Sequence, residues 1–232
     1  MGRWLHDHYF REAKREGYLS RAAYKLIEID DRKKLLGKGD CVLDCGAAPG
    51  SWLQVAARRV GPRGIVVGVD PVPITHAFPD YGSRIRCVEG EFGELPAETL
   101  LAAAAGPGGS PARRFDVILS DMAPNTSGDH NIDHHHSVRL CESVLDRCGE
   151  LLAPDGRLAM KVFEGVDYPD LLKRSRRLFA TAKGFKPKAS RRGSTEIYIV
   201  AHGYRGPGAE PSRDAAGARP ARRPSAGWSR RE

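Results

Sequence analysis

A glycine-rich turn between a strand and a helix leaves a chain few ways to fold, and here it reads "VLDCGAAPGSWLQ", residues 42–54. Val42 and Leu43 have the character of a buried strand end, and Ser51 opens a helical pattern. Such a turn presents backbone N–H groups at a helix N-terminus, where a ligand can approach closely. The same alternation continues downstream. Candidate strands lie at 41–45, 65–70, 85–89, 115–121, 157–163 and 195–202, with candidate helices at 51–60, 94–105, 134–152 and 168–181. Strands separated by helical patterns need crossover connections. The expectation is therefore α/β: a mostly parallel sheet with helices on both faces.

The ends of the chain differ from this middle. Two amphipathic stretches, about 5–16 and 20–36, come first, and Ser20 is placed to cap the second. Residues 1–36 hold nine Lys/Arg against six acidic residues. They are expected to pack on the core as a basic helical segment walling a nucleic-acid groove. Residues 37–203 carry the alternating pattern. From 204 to 232 the chain is Gly, Pro, Ala and Arg with almost no apolar content, which cannot bury enough surface to fold. That stretch reads as a disordered basic tail giving diffuse attraction to polyanions. The 232 residues carry a net charge of +8, which favours a polyanionic partner over a membrane. No apolar run approaches the ~20 residues of a membrane span, and the charged N-terminus lacks the apolar core of a signal peptide. Five cysteines without a C-x-x-C pair read as reduced core residues of a cytoplasmic protein.

What the turn holds can be narrowed. A dinucleotide fingerprint is G-x-G-x-x-G, but this turn is D-x-G-x-x-P-G, which disfavours NAD. S-adenosylmethionine is the other candidate. It carries a sulfonium and an amino-acid end, so an acidic residue at the end of the first strand suits it, and Asp44 stands there beside Gly46 and Gly50. Asp70 ends the second strand and can take ribose hydroxyls, although both cofactors share that requirement. Glu91, in "VEGEF", follows the third strand, where an adenine would lie.

"DCGAAPGSW", "SDMAPNTSG" (120–128) and "MKVFEG" (160–165), with "SRAAYKL" (20–26) and "SRRGSTEIYIVA" (190–201), resemble the FtsJ/RrmJ family in the same order. The resemblance spans about residues 3–203. It implies a Rossmann-like S-adenosylmethionine-dependent methyltransferase fold of seven strands with an antiparallel last hairpin. One strand more is thus needed, and "GFKPKA" (184–189) is the expected one. The resemblance further implies ribose 2′-O-methylation of ribosomal RNA, at a uridine in the A-loop of 23S rRNA in the large ribosomal subunit, by a protein expected to act as a monomer. It places cofactor contacts at Gly50, Trp52, Asp70, Glu91 and Asp121. Two positions depart from the family pattern: Ser51 replaces a glycine, and Glu91 replaces an aspartate. Trp52 also fits a plain core aromatic.

By the same resemblance, Lys25, Asp121, Lys161 and Glu196 match a K-D-K-E tetrad. A ribose 2′-hydroxyl is a poor nucleophile, so its proton must leave as the oxygen attacks. A free lysine is protonated at neutral pH and serves as a base only where nearby positive charge and partial burial disfavour the ammonium. Lys161 is the expected general base, Asp121 its orienting partner, Glu196 a partner for Lys25 or the ribose, and Lys25 the second cation. With two lysines and two carboxylates, the protons belong to the cluster. "HNIDHHHS" (130–137) invites a metal reading, but consecutive histidines on a helix point about 100° apart, so no metal is expected. His130 is expected in the loop before the helix. A tRNA or other RNA substrate, and a non-catalytic RNA-binding role, are the alternatives.

Overall fold

The computed structural model describes residues 2–78, 84–105, 113–191 and 193–206. Five consecutive buried residues, Cys41–Cys45, form β1 near the middle of the sheet. Their unbroken apolar run, interrupted only by Asp44, suits a strand covered on both faces. Parallel partners flank it: β2 (Ile65–Asp70) on one side and β4 (Phe115–Ser120) on the other. With β3 (Arg84–Glu89), β5 (Leu152–Phe163), β6 (Phe179–Phe185) and β7 (Glu196–Tyr204), the order across the sheet is β3-β2-β1-β4-β5-β7-β6. Among the described strands, β7 runs opposite to the rest, pairing antiparallel with both β5 and β6. The strand order reverses between β1 and β4, and doubly wound sheets bind ligands at that reversal, beyond the carboxyl ends of the strands.

Helices cover both faces. On one lie α2 (Ala23–Lys33) and α3 (Ser51–Val60), burying Ala23, Leu26, Ile29, Leu53 and Val55 against Val42, Val117 and Ala159. On the other, α4 (Ala97–Ala103), α5 (His130–Leu151) and α6 (Tyr168–Leu178) bury Leu100, Val144, Leu145 and Leu171 against Leu43, Ile118 and Met160. A first helix, α1 (Gly2–Arg15), precedes α2. Side chains alternate along a strand. Val42, Ala159 and Val200 face α2 and α3, so the same parity sends Asp44, Lys161, Tyr198 and Glu196 to that face.

Several boundaries differ from the sequence expectations. The helix expected at 168–181 stops at Leu178, and the additional strand, β6, is 179–185 rather than 184–189. Pairing with β7 decides this, because "FATAKGF" has no strong local preference until a partner strand lies beside it. The helix expected at 134–152 begins at His130, which is therefore helical and not in the preceding loop. Asp129 caps it, its carboxylate accepting from the Asn131 and Ile132 N–H groups. Ser20 does not cap α2. Ala22 holds the cap position without a side-chain bond, and the Ser20 hydroxyl accepts from the Ala22 N–H inside a tight turn. The expected disordered tail lies almost wholly outside the described residues.

Candidate active site

Two glycines make the turn after β1 possible. Gly46 has φ +75°, and a Cβ there would sit 2.8 Å from Met122 Cγ. Gly50 has φ +113°, and a Cβ would sit 2.7 Å from the Phe78 ring. Both positions are left-handed and closely approached, so a larger residue is excluded twice over. Asp70, at the end of β2, braces the turn. Its carboxylate accepts from the Ala48 N–H at 2.9 Å and the Val72 N–H at 2.8 Å. Each oxygen keeps a second lone pair for a ligand hydroxyl.

Asp44 is 0% exposed, and among the described residues neither carboxylate oxygen has a hydrogen-bond partner. Burial, then the nearby charges of Asp121 and Asp70, push its pKa well above the usual carboxylate range. An orphaned buried carboxyl costs free energy unless something meets it. Three aspartates converging on one turn suit a cationic ligand. The donor set thus fits S-adenosylmethionine better than a pyrophosphate, which the same carboxylates would repel. Glu91 stands exposed in the turn after β3.

The structure brings the four tetrad positions together. Lys161, on β5 and 8% exposed, lies with Nζ 2.9 Å from Asp121 Oδ1 and also donates to the Asp121 backbone carbonyl. On α2, Lys25 Nζ donates to Glu196 Oε2 at 2.7 Å, and Ser190 Oγ donates to Oε1 at 2.8 Å. Burial raises the Asp121 pKa, but the Lys161 and Lys25 charges and its hydrogen bonds outweigh that and hold it below the ordinary range.

A fifth group belongs to this cluster. Tyr198 stands opposite Lys161 in the β5–β7 register, and its hydroxyl donates to Asp121 Oδ1 at 2.6 Å. Lys25 Nζ lies 5.9 Å from the centre of its ring, and Trp52 packs on it at 5.7 Å. Position two beyond Glu196 in "EIYIVA" is the one signal for it, since period two returns it to the same face.

Trp52 is 3% exposed and is spent on packing, with its ring N–H donating to the Ala22 carbonyl at 2.9 Å. That bond is one of several between the start of α3 and residues 17–22. Ser51 Oγ donates to Ser20 Oγ at 2.7 Å, Gln54 Oε1 accepts from the Leu19 N–H, and Gln54 Nε2 donates to the Gly17 carbonyl, both at 2.9 Å. Ser51, the departure from glycine, thus has a partner of its own.

The histidine run resolves differently. His134, 1% exposed, uses both ring nitrogens: Nδ1 meets the Phe163 carbonyl at 2.8 Å and Nε2 accepts from the Asp167 N–H at 3.1 Å. It ties α5 to the end of β5. His135 Nδ1 pairs with Asp167 Oδ2 at 2.7 Å, so His134, His135 and Asp167 converge. The lone pair a metal would need on His134 is already engaged.

A seven-stranded sheet in this order, with a carboxylate-lined glycine turn at the strand reversal and a lysine held by an aspartate beside it, defines the methyltransferase class of Rossmann-like folds. The comparisons agree. The family model for FtsJ-like methyltransferase matches residues 18–204. The chain belongs to that family. It is 44% identical over 200 residues to a ribosomal RNA large subunit methyltransferase E of Syntrophobacter fumaroxidans, covering 86% of this chain and 96% of that one. It is 45% identical over 194 residues to the Halobacterium salinarum protein of the same name, covering 84% and 72%. Among solved structures, a protein described as a ribosomal RNA methyltransferase of Plasmodium falciparum superposes with a TM-score of 0.69. Identity there is 28%, covering 82% of this chain and all of that one.

Proposed function

We propose that this protein transfers a methyl group from S-adenosylmethionine to a ribose 2′-hydroxyl of large-subunit ribosomal RNA in the cytoplasm. The target is the A-loop uridine that the family resemblance implies. The observation that carries this is Lys161, held by Asp121 through both side chain and backbone carbonyl, at the strand end beside the glycine turn. The names and coverage of the relatives support the RNA class.

S-adenosylmethionine supplies an electrophilic methyl group on a sulfonium. Asp44, Gly46 and Gly50 would hold its amino-acid end and Asp70 its ribose, with Glu91 toward the adenine. Trp52 contributes by fixing α3 rather than by exposing its ring. Lys161 Nζ, as general base, takes the proton of the 2′-hydroxyl as the oxygen attacks. Asp121 keeps Nζ aimed at that oxygen and stabilises the ammonium that forms. Tyr198 holds the Asp121 carboxylate in place. Glu196 fixes Lys25, whose charge attracts the RNA backbone.

The test is incubation with methyl-labelled S-adenosylmethionine and, separately, large ribosomal subunits, free 23S rRNA and tRNA, followed by alkaline hydrolysis. Label in alkali-resistant dinucleotides from large-subunit RNA is expected, because a 2′-O-methyl group blocks cleavage at its own linkage. Label confined to tRNA, or to alkali-labile mononucleotides, refutes the reading.

A further inference from the structure

The charges of this site are sorted. Asp44, Asp70 and Asp121 gather at the glycine turn. Beside the tetrad opens a cavity of about 260 Å³ lined by Arg21, Lys25 and Arg191, with Ser20, Ser194 and Glu196. A cofactor bearing a sulfonium and an ammonium is drawn to the first region and repelled by the second. The cavity therefore calls for an anion. Three cations meet one carboxylate there, and that carboxylate is already bonded to Lys25 and Ser190. Burial and then the Arg191 charge pull the Arg21 pKa down, against a raising effect from Glu196. Both guanidinium groups line the same cavity, where an oxyanion would meet positive charge from two sides.

The ligand follows from ribose chemistry. The 2′-hydroxyl and the 3′-phosphodiester hang on adjacent carbons, so an RNA that offers one to Lys161 brings the other beside it. The cavity shares Lys25 and Glu196 with the tetrad, which puts it next to the acceptor oxygen. We propose that Arg21 and Arg191 clamp the phosphodiester on the 3′ side of the methylated ribose. The inference rests on the ribose reading above. Guanidinium forks match phosphate oxygens two at a time, so the clamp fixes the sugar's rotation as well as its position. Ser20 and Ser194 offer hydroxyl donors at the rim. Phosphate contacts of this kind set register without reading sequence.

The experiment compares wild type, Arg21→Ala/Arg191→Ala and Arg21→Lys/Arg191→Lys on large-subunit RNA, and then on an RNA with one neutral methylphosphonate 3′ to the mapped methylation site. For the alanine pair, the KM for RNA should rise about 10- to 100-fold. The slope of log affinity against log salt should fall by about one to two units. S-adenosylmethionine affinity by calorimetry should hold, which certifies the fold. The lysine pair should recover the salt slope but only part of the KM. The methylphosphonate should harm wild type as much as the alanine pair does, and should harm the alanine pair little further. Wild type that methylates RNA with no sensitivity to the methylphosphonate, or an alanine pair with an unchanged salt slope, overturns the clamp. Wild type that methylates no RNA overturns the ribose reading, and the clamp falls with it.

Discussion

Replacing Asp44 by Asn changes one charge and almost no volume, and it should move stability and cofactor affinity in opposite directions. Folding raises the Asp44 pKa from its ordinary 3.8, first by burial and then by Asp121 and Asp70. Between those two values the native state binds more protons than the unfolded state, so this group's contribution to stability falls as pH rises through the window. Asn cannot ionise. The variant should match wild type within about 1 kcal/mol near pH 4 and gain on it steadily toward pH 8. Binding has the other sign. A cation at the turn favours the carboxylate, so cofactor binding should expel a proton from Asp44, and wild-type affinity should climb with pH. A hydrogen-bonded charge pair is worth about 1.5–3 kcal/mol, so the variant should bind S-adenosylmethionine about 10- to 150-fold more weakly at neutral pH and without that slope. Calorimetry in buffers of different ionisation enthalpy counts the protons released, and denaturant unfolding at matched pH reads stability. Equal affinity and equal proton release in the two proteins would refute the placement of Asp44 at the cofactor's cationic end.

Lys161→Ala should abolish methyl transfer while leaving S-adenosylmethionine affinity within a few-fold, as read by single-turnover label transfer and calorimetry; measurable turnover near wild type removes it as the base. Tyr198→Phe deletes the hydroxyl that helps hold the Asp121 pKa down, so the acid limb of the pH–rate profile should move to higher pH; an unmoved limb shows that Asp121 does not need that bond. Leu26→Ala, at a fully buried α2 position, should cost about 2–5 kcal/mol. That is about 4–20 °C in Tm by calorimetric scan for a domain of this size, and a negligible shift would mean α2 is not part of the cooperative unit.

How much of this was legible in the chain depends on whether each feature is local. The glycine turn, the strand ends at Asp44 and Asp70, and the order of the motifs are written in short stretches, and the structure places them at one edge of the sheet. Lys25 and Glu196 lie 171 residues apart, and only the family pattern linked them before the fold showed a 2.7 Å bond. Tyr198 was passed over because an aromatic in an alternating strand reads as core, which it also is: its ring packs while its hydroxyl works. The sixth strand was misplaced because "RRLFATAKGF" continues a helical pattern until β7 offers hydrogen bonds that no local rule can weigh. Nothing local in "HNIDHHHS" marks His134 as the buried histidine of the run. The carbonyl of Phe163 and the N–H of Asp167, both distant in sequence, make its burial affordable.

The bonds between the first turn of α3 and residues 17–22 join the element that carries the glycine turn to the one that leads into Arg21 and Lys25. Donor and acceptor are therefore held by a single body, and the distance between them is settled when the chain folds, not when it closes on a ligand. The entropy of aligning the two reactants is charged largely to folding. On heating, the enzyme's activity and its native structure should disappear over the same few degrees.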